Sequence, residues 1–569
     1  MNQLNLVLLW HMHQPDYRDY ATNEFELPWV YLHAIKDYTD MAYHLERHPK
    51  TKAIVNFVPI LLDQLEDYAE QFSSGQIRDP LLRLLAAPDL EQITSQDRLR
   101  VFDSCFLSNH ETMLKPYPAY KRLHELYDTL SQRGEAELAY FSGQYLADLL
   151  VWYHLAWTGE SVRRNNDVVI KLMAQSEGFS HADRMQLFDL IGSLIQELIP
   201  RYRKLAKSGQ IELSTTPHFH PLSPLLIDFS SARDSIPDAT LPVIDCYPGG
   251  RSRVEFHVSS AMTSHTHRFG EQPVGIWPAE GAISTPLLKI MGEQNCQWSA
   301  SSEGVLANCL QSSYPDAPMP ERSHYLYRPY RVAGEAGSVI CFFRDDHLSD
   351  LIGFEYAKWF GRDAAENFLQ SLEQIQHNAP AEESPIVSVI LDGENAWESY
   401  PYNGFYFLDD LYSLLESSST IHTTTYRDYI AVTENTDHIV TLPTLAAGSW
   451  VYGTFSTWIG DQEKNCAWDM LCAAKHCFDR VMQSDRLSEA EKIAASRQLA
   501  SCESSDWFWW FGDYNPAHSV ASFDHLYRKN LGNLYHLLKL PIPQAVLQPI
   551  SKGVEQAETE ISGTMRRSS

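Results

Sequence analysis

Four apolar stretches of this 569-residue chain each run straight into a short burst of residues able to do chemistry. Residues 4–10 lead into His11-Met-His13-Gln14-Pro15, and residues 210–216 into Pro217-His218-Phe219-His220. Residues 274–279 lead into Glu280, and residues 385–391 into Asp392-Gly393-Glu394-Asn395. Strands buried on both faces, as in α/β barrels, read as continuous apolar runs, and such barrels gather their active sites at the strand C-termini. One strand ending in polar residues says nothing, because polar residues commonly follow strands. Four such ends, two of them delivering isolated carboxylates, predict an enzyme site assembled from distant parts of the chain.

Further strand signals fall near residues 52–58, 297–300, 338–343 and 387–391, with helical segments between several of them. That alternation predicts a largely parallel sheet. Residues 61–205 read as helical instead, with apolar side chains recurring at three- and four-residue steps, as in Leu187-Leu190-Leu194-Ile195-Leu198. The expected architecture is α/β: a barrel over 1–402 with a helical insertion at 61–205, then a mainly helical domain over 403–545 that contributes to the cleft. Ser488-x-x-Glu491 reads as a capping box, and Phe523-Leu526-Tyr527-Leu531-Leu534-Leu538 as the apolar stripe of a terminal helix. The polar residues 546–569 are expected to form a disordered tail.

Charge narrows the partners. Forty-five Lys and Arg against 73 Asp and Glu give a net charge of −28, which argues against nucleic acid and anionic membrane surfaces. Aromatics make up 12% of the chain, with 14 Trp and 29 Tyr, and such rings suit stacking against sugars. No stretch reaches the roughly 18 apolar residues of a membrane span. The opening Met1-Asn-Gln-Leu lacks a basic region before a run too short for a secretory signal. Nine cysteines without a C-x-x-C pair read as reduced. Cytoplasm is the expected compartment.

Glu280 and Asp392 follow strands and sit near Trp277 and Trp397. Glycoside hydrolysis needs two carboxyl groups flanking the scissile bond, one serving as nucleophile or base and the other as proton donor. His11 and His13, two residues apart at a strand end, point the same way. That spacing suits a zinc or iron ligand pair and equally suits two groups gripping sugar hydroxyls. His218 and His220 repeat it, which leaves a four-histidine metal site open. No phosphate-loop motif is present, and Gly393 reads as the glycine of a tight turn between Asp392 and Glu394.

His11-Met-His-Gln-Pro15, Gly275-Ile-Trp-Pro-Ala-Glu280 and Leu391-Asp-Gly-Glu-Asn395 resemble successive signature motifs of glycoside hydrolase family 57. Gly209-Gln-Ile-Glu212-Leu-Ser with Pro217-His-Phe-His220 resembles the second motif, and Ser449-Trp-Val-Tyr-Gly-Thr-Phe-Ser-Thr-Trp458-Ile-Gly-Asp461 the last. Asp392-Gly-Glu-Asn-Ala-Trp-Glu398 and Asp506-Trp-Phe-Trp-Trp510 are similar to the amylopullulanase and α-amylase-like branch. The resemblance implies an incomplete (β/α)7 barrel followed by a helical domain, retention, and no obligatory metal or other cofactor. It implies Glu280 as nucleophile and Asp392 as acid/base, acting on an α-glucan. His11, His13, Trp277, Glu394 and Trp458 would line the subsites; Gln14, His220, Trp397 and Asp461, from the same motifs, complete the expected substrate-binding set. Transglycosylation within the same family and a metal-dependent carbohydrate deacetylase stand as the alternatives.

Overall fold

The computed structural model describes residues 3–132, 135–334, 336–380, 384–432, 438–512, 515, 517–551 and 553. Seven strands build its centre: β1 (Leu4–Met12), β2 (Ala53–Phe57), β3 (Ile211–Thr215), β4 (Gly275–Ile276), β5 (Trp298–Ser302), β6 (Ile340–Arg344) and β7 (Ile386–Asp392). All pair in parallel in the order β7-β1-β2-β3-β4-β5-β6, and Ser388 on β7 meets Arg344 on β6 to close the ring. This is the seven-stranded barrel expected from the sequence.

Strand alternation decides which residues face inward. Val7 and Leu9, Ile54, Trp277, Trp298 and Ala300, Ile340 and Phe342, and Ile386 and Ile390 form one buried cluster inside the barrel. Their neighbours Leu6, Leu8, Trp10, Val55, Leu213, Val387 and Val389 belong to the larger core between barrel and helices. Both faces are therefore apolar, which is why these strands read as continuous runs. Tyr426 and Tyr429, from the helix Tyr426–Ala431, join the inner cluster and plug it.

Helices from Pro59–Ser74 to His181–Lys207 fill the long gap between β2 and β3. Beyond residue 403 the chain is mainly helical, yet Ile421–Thr423 pairs in parallel with β1, so this region shares the barrel's sheet. The capping box at Ser488 and Glu491 is formed, and the apolar stripe packs the helix Ala517–Leu537. Order extends past the expected start of the tail. Val546 is buried and the Ile550 amide donates to Asp524 Oδ1 (2.8 Å), because an apolar anchor and a carboxylate cap tie residues 546–551 down. The rest of the expected tail, residues 554–569, lies outside the described residues. Among the described residues no helix is long and apolar enough to cross a membrane.

Candidate active site

Continuing the inward parity one step past the apolar layer brings up polar residues. Register pairs His11 with Asn56 and with Asp392, and Asn56 with Ser214. Above this layer lies a cavity of about 470 Å³, lined by His11, His13, Gln14, His220, Glu280, Asp392 and Glu394 from the barrel. The helical insertion adds Ser108–Thr112, and the C-terminal region adds Trp450, Asp506, Trp509, Trp510 and Phe523. Thr112 Oγ1 donates to the Glu398 carbonyl, docking the insertion beside the loop that follows β7.

Glu280 sits in a turn after β4 with φ 59° and ψ 23°, the left-handed region that costs a non-glycine residue about 1–3 kcal/mol. The segment carrying Trp450 enforces this conformation. Ile283 and Gly448 form an antiparallel bridge, and the Trp450 amide donates to the Glu280 carbonyl (2.9 Å). Trp450 Nε1 donates to Glu280 Oε2 (3.1 Å), while Ser505 Oγ lies 2.9 Å from Oε1. Burial, then the nearby Asp506 and Asp392 carboxyls, push Glu280 up to about 8.

Asp392 ends β7 facing the cavity, and Asn395 Nδ2 donates to its Oδ2 (2.6 Å). Desolvation raises its pKa to about 6. Glu394 is buried; its Oε1 accepts from the His13 amide (3.1 Å), and its Oε2 has no hydrogen-bond partner among the described residues. Burial raises this carboxyl well above its ordinary value. Gly393 is needed for a different reason than the sequence suggested. Its φ is not positive; instead a Cβ there would lie 2.1 Å from Met12 Sδ, because the loop returns tightly onto β1.

Three of the four histidines converge. The His13 and His220 rings stack at 3.7 Å, and His11 Nε2 lies 3.2 Å from His220 Nε2. His218 diverges to Asp63 (3.0 Å) and Ser260 (2.7 Å), because β3 ends at Thr215 and residues 217–220 form a turn with His220 at φ 55°. The four-histidine set therefore does not form. His13, His220 and Asp506 do hold one candidate ligand atom each within 4.8 Å of one another. Yet both His220 nitrogens are engaged, Nε2 by His11 and Nδ1 by Ser505 (2.9 Å), and His13 Nε2 meets Asp506 (2.9 Å). Nearly parallel stacked rings also aim their in-plane lone pairs side by side rather than at one point. The cluster suits hydrogen bonding better than a cation.

The remaining expected residues lie away from the cavity wall. Trp277 is fully buried inside the barrel, edge-on to Trp450. Trp397 packs on Trp10 and Tyr400 and donates Nε1 to the Gly393 carbonyl (2.8 Å). Trp458 is buried against Trp509. Asp461 is exposed and caps the helix Gln462–Met482, accepting from the amides of Glu463 and Lys464. In their place the structure brings in Trp450, Ser505 and Asp506, which the sequence reading did not select. The helix Ser505–Trp510 reaches the barrel through the Pro221–Ser504 bridge and the Ser505 amide donating to the His220 carbonyl (2.9 Å). Lys464, buried, donates Nζ to the carbonyls of Phe508 (2.7 Å) and Phe511 (2.6 Å) and so fixes the other end of that helix. The cue available in sequence was the tight run Ser504-Ser505-Asp506 before five aromatics.

At the level of sequence alone, no curated protein is a match. Solved structures do share the fold. A family 57 branching enzyme from Thermococcus kodakaraensis aligns over 94% of this chain and 90% of its own, at 15% identity and a TM-score of 0.55. A family 57-type branching enzyme from Pyrococcus horikoshii aligns over 100% and 99%, at 14% identity and 0.54. The α-amylase AmyC from Thermotoga maritima aligns over 95% and 94%, at 14% identity and 0.54. Residues 7–443 match the profile of glycosyl hydrolase family 57. Spanning most of the chain and carrying both strand-end carboxylates, this match places the protein in glycosyl hydrolase family 57.

Proposed function

We propose that this enzyme cleaves α-glucans with retention, with Glu280 as nucleophile and Asp392 as acid/base. The observation that carries the reading is the pair itself. Two desolvated carboxyls rise from the ends of β4 and β7 into one cavity, and the Asp392 charge adds to the burial that raises Glu280. Asp392 protonates the glycosidic oxygen as Glu280, in its carboxylate form, attacks the anomeric carbon. Water then resolves the glycosyl-enzyme with Asp392 acting as base. The unpartnered Glu394 Oε2 and His13 Nδ1, both buried at the cavity, offer hydrogen bonds to sugar hydroxyls. His11, Gln14 and His220 line the same wall, and Trp450, Trp509 and Trp510 supply aromatic faces. The nine free cysteines suit a cytoplasmic enzyme.

Incubation with maltoheptaose, amylose and pullulan, followed by product sizing, tests this. Reducing ends rising with shorter products support hydrolysis, and cleavage of pullulan supports the amylopullulanase type. Longer or branched products replace hydrolysis by transglycosylation. Loss of turnover on chelation, restored by zinc, would move the reading to a metal-dependent deacetylase.

A further inference from the structure

β6 and β7 close the barrel through one register pair, Ser388 with Arg344, and the Asp345 amide donates to the Ser388 carbonyl (2.8 Å). β6 then stops, because Asp345 caps the helix Asp346–Asp350, and no strand residue is left to meet Ile390 of β7. Two side chains take its place. Ser349 Oγ accepts from the Ile390 amide (3.3 Å), and Arg344 Nε donates to the Ile390 carbonyl (2.8 Å). Ile390 stands two residues before Asp392, so this patch fixes the strand end that carries the acid/base. Arg344 reaches toward the nucleophile as well. It follows Ile340 and Phe342 in the inward parity of β6, is buried, and lines the cavity. Its guanidinium carbon lies 5.5 Å from the centre of the Trp450 ring, and Trp450 donates Nε1 to Glu280 Oε2 and its amide to the Glu280 carbonyl. Asp346 Oδ1 (2.8 Å) and Asp350 Oδ1 (2.9 Å) accept from Nη1 and Nη2 and hold the guanidinium there. A buried ion pair is a poor device for stability, since desolvating the charges offsets their attraction. Ser349 shows that a neutral group can serve the same peptide. Among the described residues lining the cavity, the other lysine or arginine is Lys358, which is exposed.

We propose that Arg344 is a positioning residue that ties the two carboxyl-bearing strand ends together, holding Asp392 through the Ile390 carbonyl and Glu280 through the Trp450 ring. This rests on Glu280 and Asp392 being the working pair. Retention needs those carboxyls at a narrow separation, roughly 5–5.5 Å, and a displacement of about 1 Å can cost on the order of 100-fold in rate. One rigid, planar group bonded to both supports keeps that separation where the strand ladder has ended. Arg344 also sets a fixed positive charge near Asp392. His13 and Arg344 favour the charged form of Asp392 and Asp506 opposes it, while Glu280 and Glu394 are raised by Asp392 in turn. Asp346 and Asp350 stand on the far side of the guanidinium, on the helix that follows β6.

The test compares Arg344→Met, Arg344→Lys and Ser349→Ala in the full-length enzyme, with kcat and KM for maltoheptaose measured across pH. Arg344→Met should lower kcat by about 100-fold, with KM within about threefold. The working pair holds one proton, and the alkaline limb of the kcat/KM profile reads its loss. A cation nearby favours that loss, so in Arg344→Met the limb should move up by about one pH unit. Arg344→Lys keeps the charge between Asp346 and Asp350 but has no planar fork to serve Ile390 and Trp450 together. Its kcat should fall by about 10-fold while the limb stays in place. Ser349→Ala removes the neutral half of the patch and should lower stability without moving the limb. An unchanged kcat in Arg344→Lys overturns the proposal, even where Arg344→Met fails to fold. A raised KM with unchanged kcat in either arginine variant overturns it too, by making Arg344 a sugar contact. So does a limb that moves as far in Ser349→Ala as in Arg344→Met. A 5-fluoro glycosyl fluoride that traps the glycosyl-enzyme of the parent, read by mass spectrometry, keeps the two failures apart. Label on Glu280 retains the functional reading whatever the arginine variants do, and label on another residue removes that reading and the proposal with it.

Discussion

Glu212 and Glu280 are both buried glutamates of the same barrel, and burial raises the pKa of each, but they stand at different depths for different reasons. Glu212 is the second residue of β3, toward the N-terminal end. Its Oε1 accepts from Trp298 Nε1 (2.7 Å) and its Oε2 from the Arg427 amide at the start of the plugging helix (2.9 Å). Tyr426 of that helix packs on Trp298 and Phe342, with ring centroids 4.7 and 4.1 Å apart. Both Glu212 carboxylate oxygens are used inside the core. Glu280, at the C-terminal end, sits on a left-handed residue, faces a cavity, and shares it with Asp392 and Asp506. Satisfied hydrogen bonds at one end and strain with like charge at the other separate a residue kept for stability from one kept for work.

The sharpest way to break this contrast is Glu280→Gln. Turnover should fall by on the order of 10⁴-fold or more, because an amide cannot form the glycosyl ester. Stability should move the other way. A carboxyl whose folded pKa is raised from 4.5 to about 8 contributes fully below 4.5 and loses that contribution as pH rises through 8. The variant's Tm should therefore match the parent near pH 4 and exceed it at pH 9, by about 1–3 kcal/mol of stability. A variant that is active, or less stable at alkaline pH, removes the distinction.

Asp392→Asn should cost about 10²- to 10⁴-fold on glucans. On aryl glycosides with good leaving groups the loss should be smaller, since departure there needs no proton. Equal losses on both substrates would take the acid role from Asp392.

At the other end, Glu212→Ala strands Trp298 Nε1 and the Arg427 amide in the core. Two buried unsatisfied donors cost roughly 2–4 kcal/mol, to be read from denaturant unfolding, with kcat per folded molecule unchanged. A lost kcat in a folded, stable variant would show that both ends do chemistry.

This contrast also marks where the sequence stops being legible. Strands apolar on both faces announce a barrel, and the inward parity that makes Leu9 and Ile390 core makes His11 and Asp392 site, so the strand ends could be read directly. Ser505 and Asp506 could not. Their place depends on Lys464 holding the carbonyls of Phe508 and Phe511, 44 and 47 residues away, and on Ser505 hydrogen-bonding to the His220 carbonyl, 285 residues away, contacts that no local period encodes. Tryptophans mislead for a related reason. Trp397 and Trp450 each follow a motif residue, and only packing decides that Trp397 spends its N–H on Gly393 while Trp450 spends its own on Glu280.

Asp461 makes the smallest test. It closes the motif that contains Trp450, which suggests a sugar contact, yet it is exposed, lies off the cavity wall and caps the helix Gln462–Met482. That helix carries Lys464, whose Nζ anchors the helix presenting Ser505 and Asp506. A lost N-cap costs about 1 kcal/mol, and the Lys464 amide it frees belongs to the same residue as the anchoring ammonium. Asp461→Ala should therefore lower stability by that amount and leave KM for maltoheptaose unchanged. Asp461→Ser, which keeps a capping oxygen, should restore the stability. A rise in KM that Ser does not repair would make Asp461 a substrate contact after all, and extend the working end of the barrel onto the helical region's outer surface.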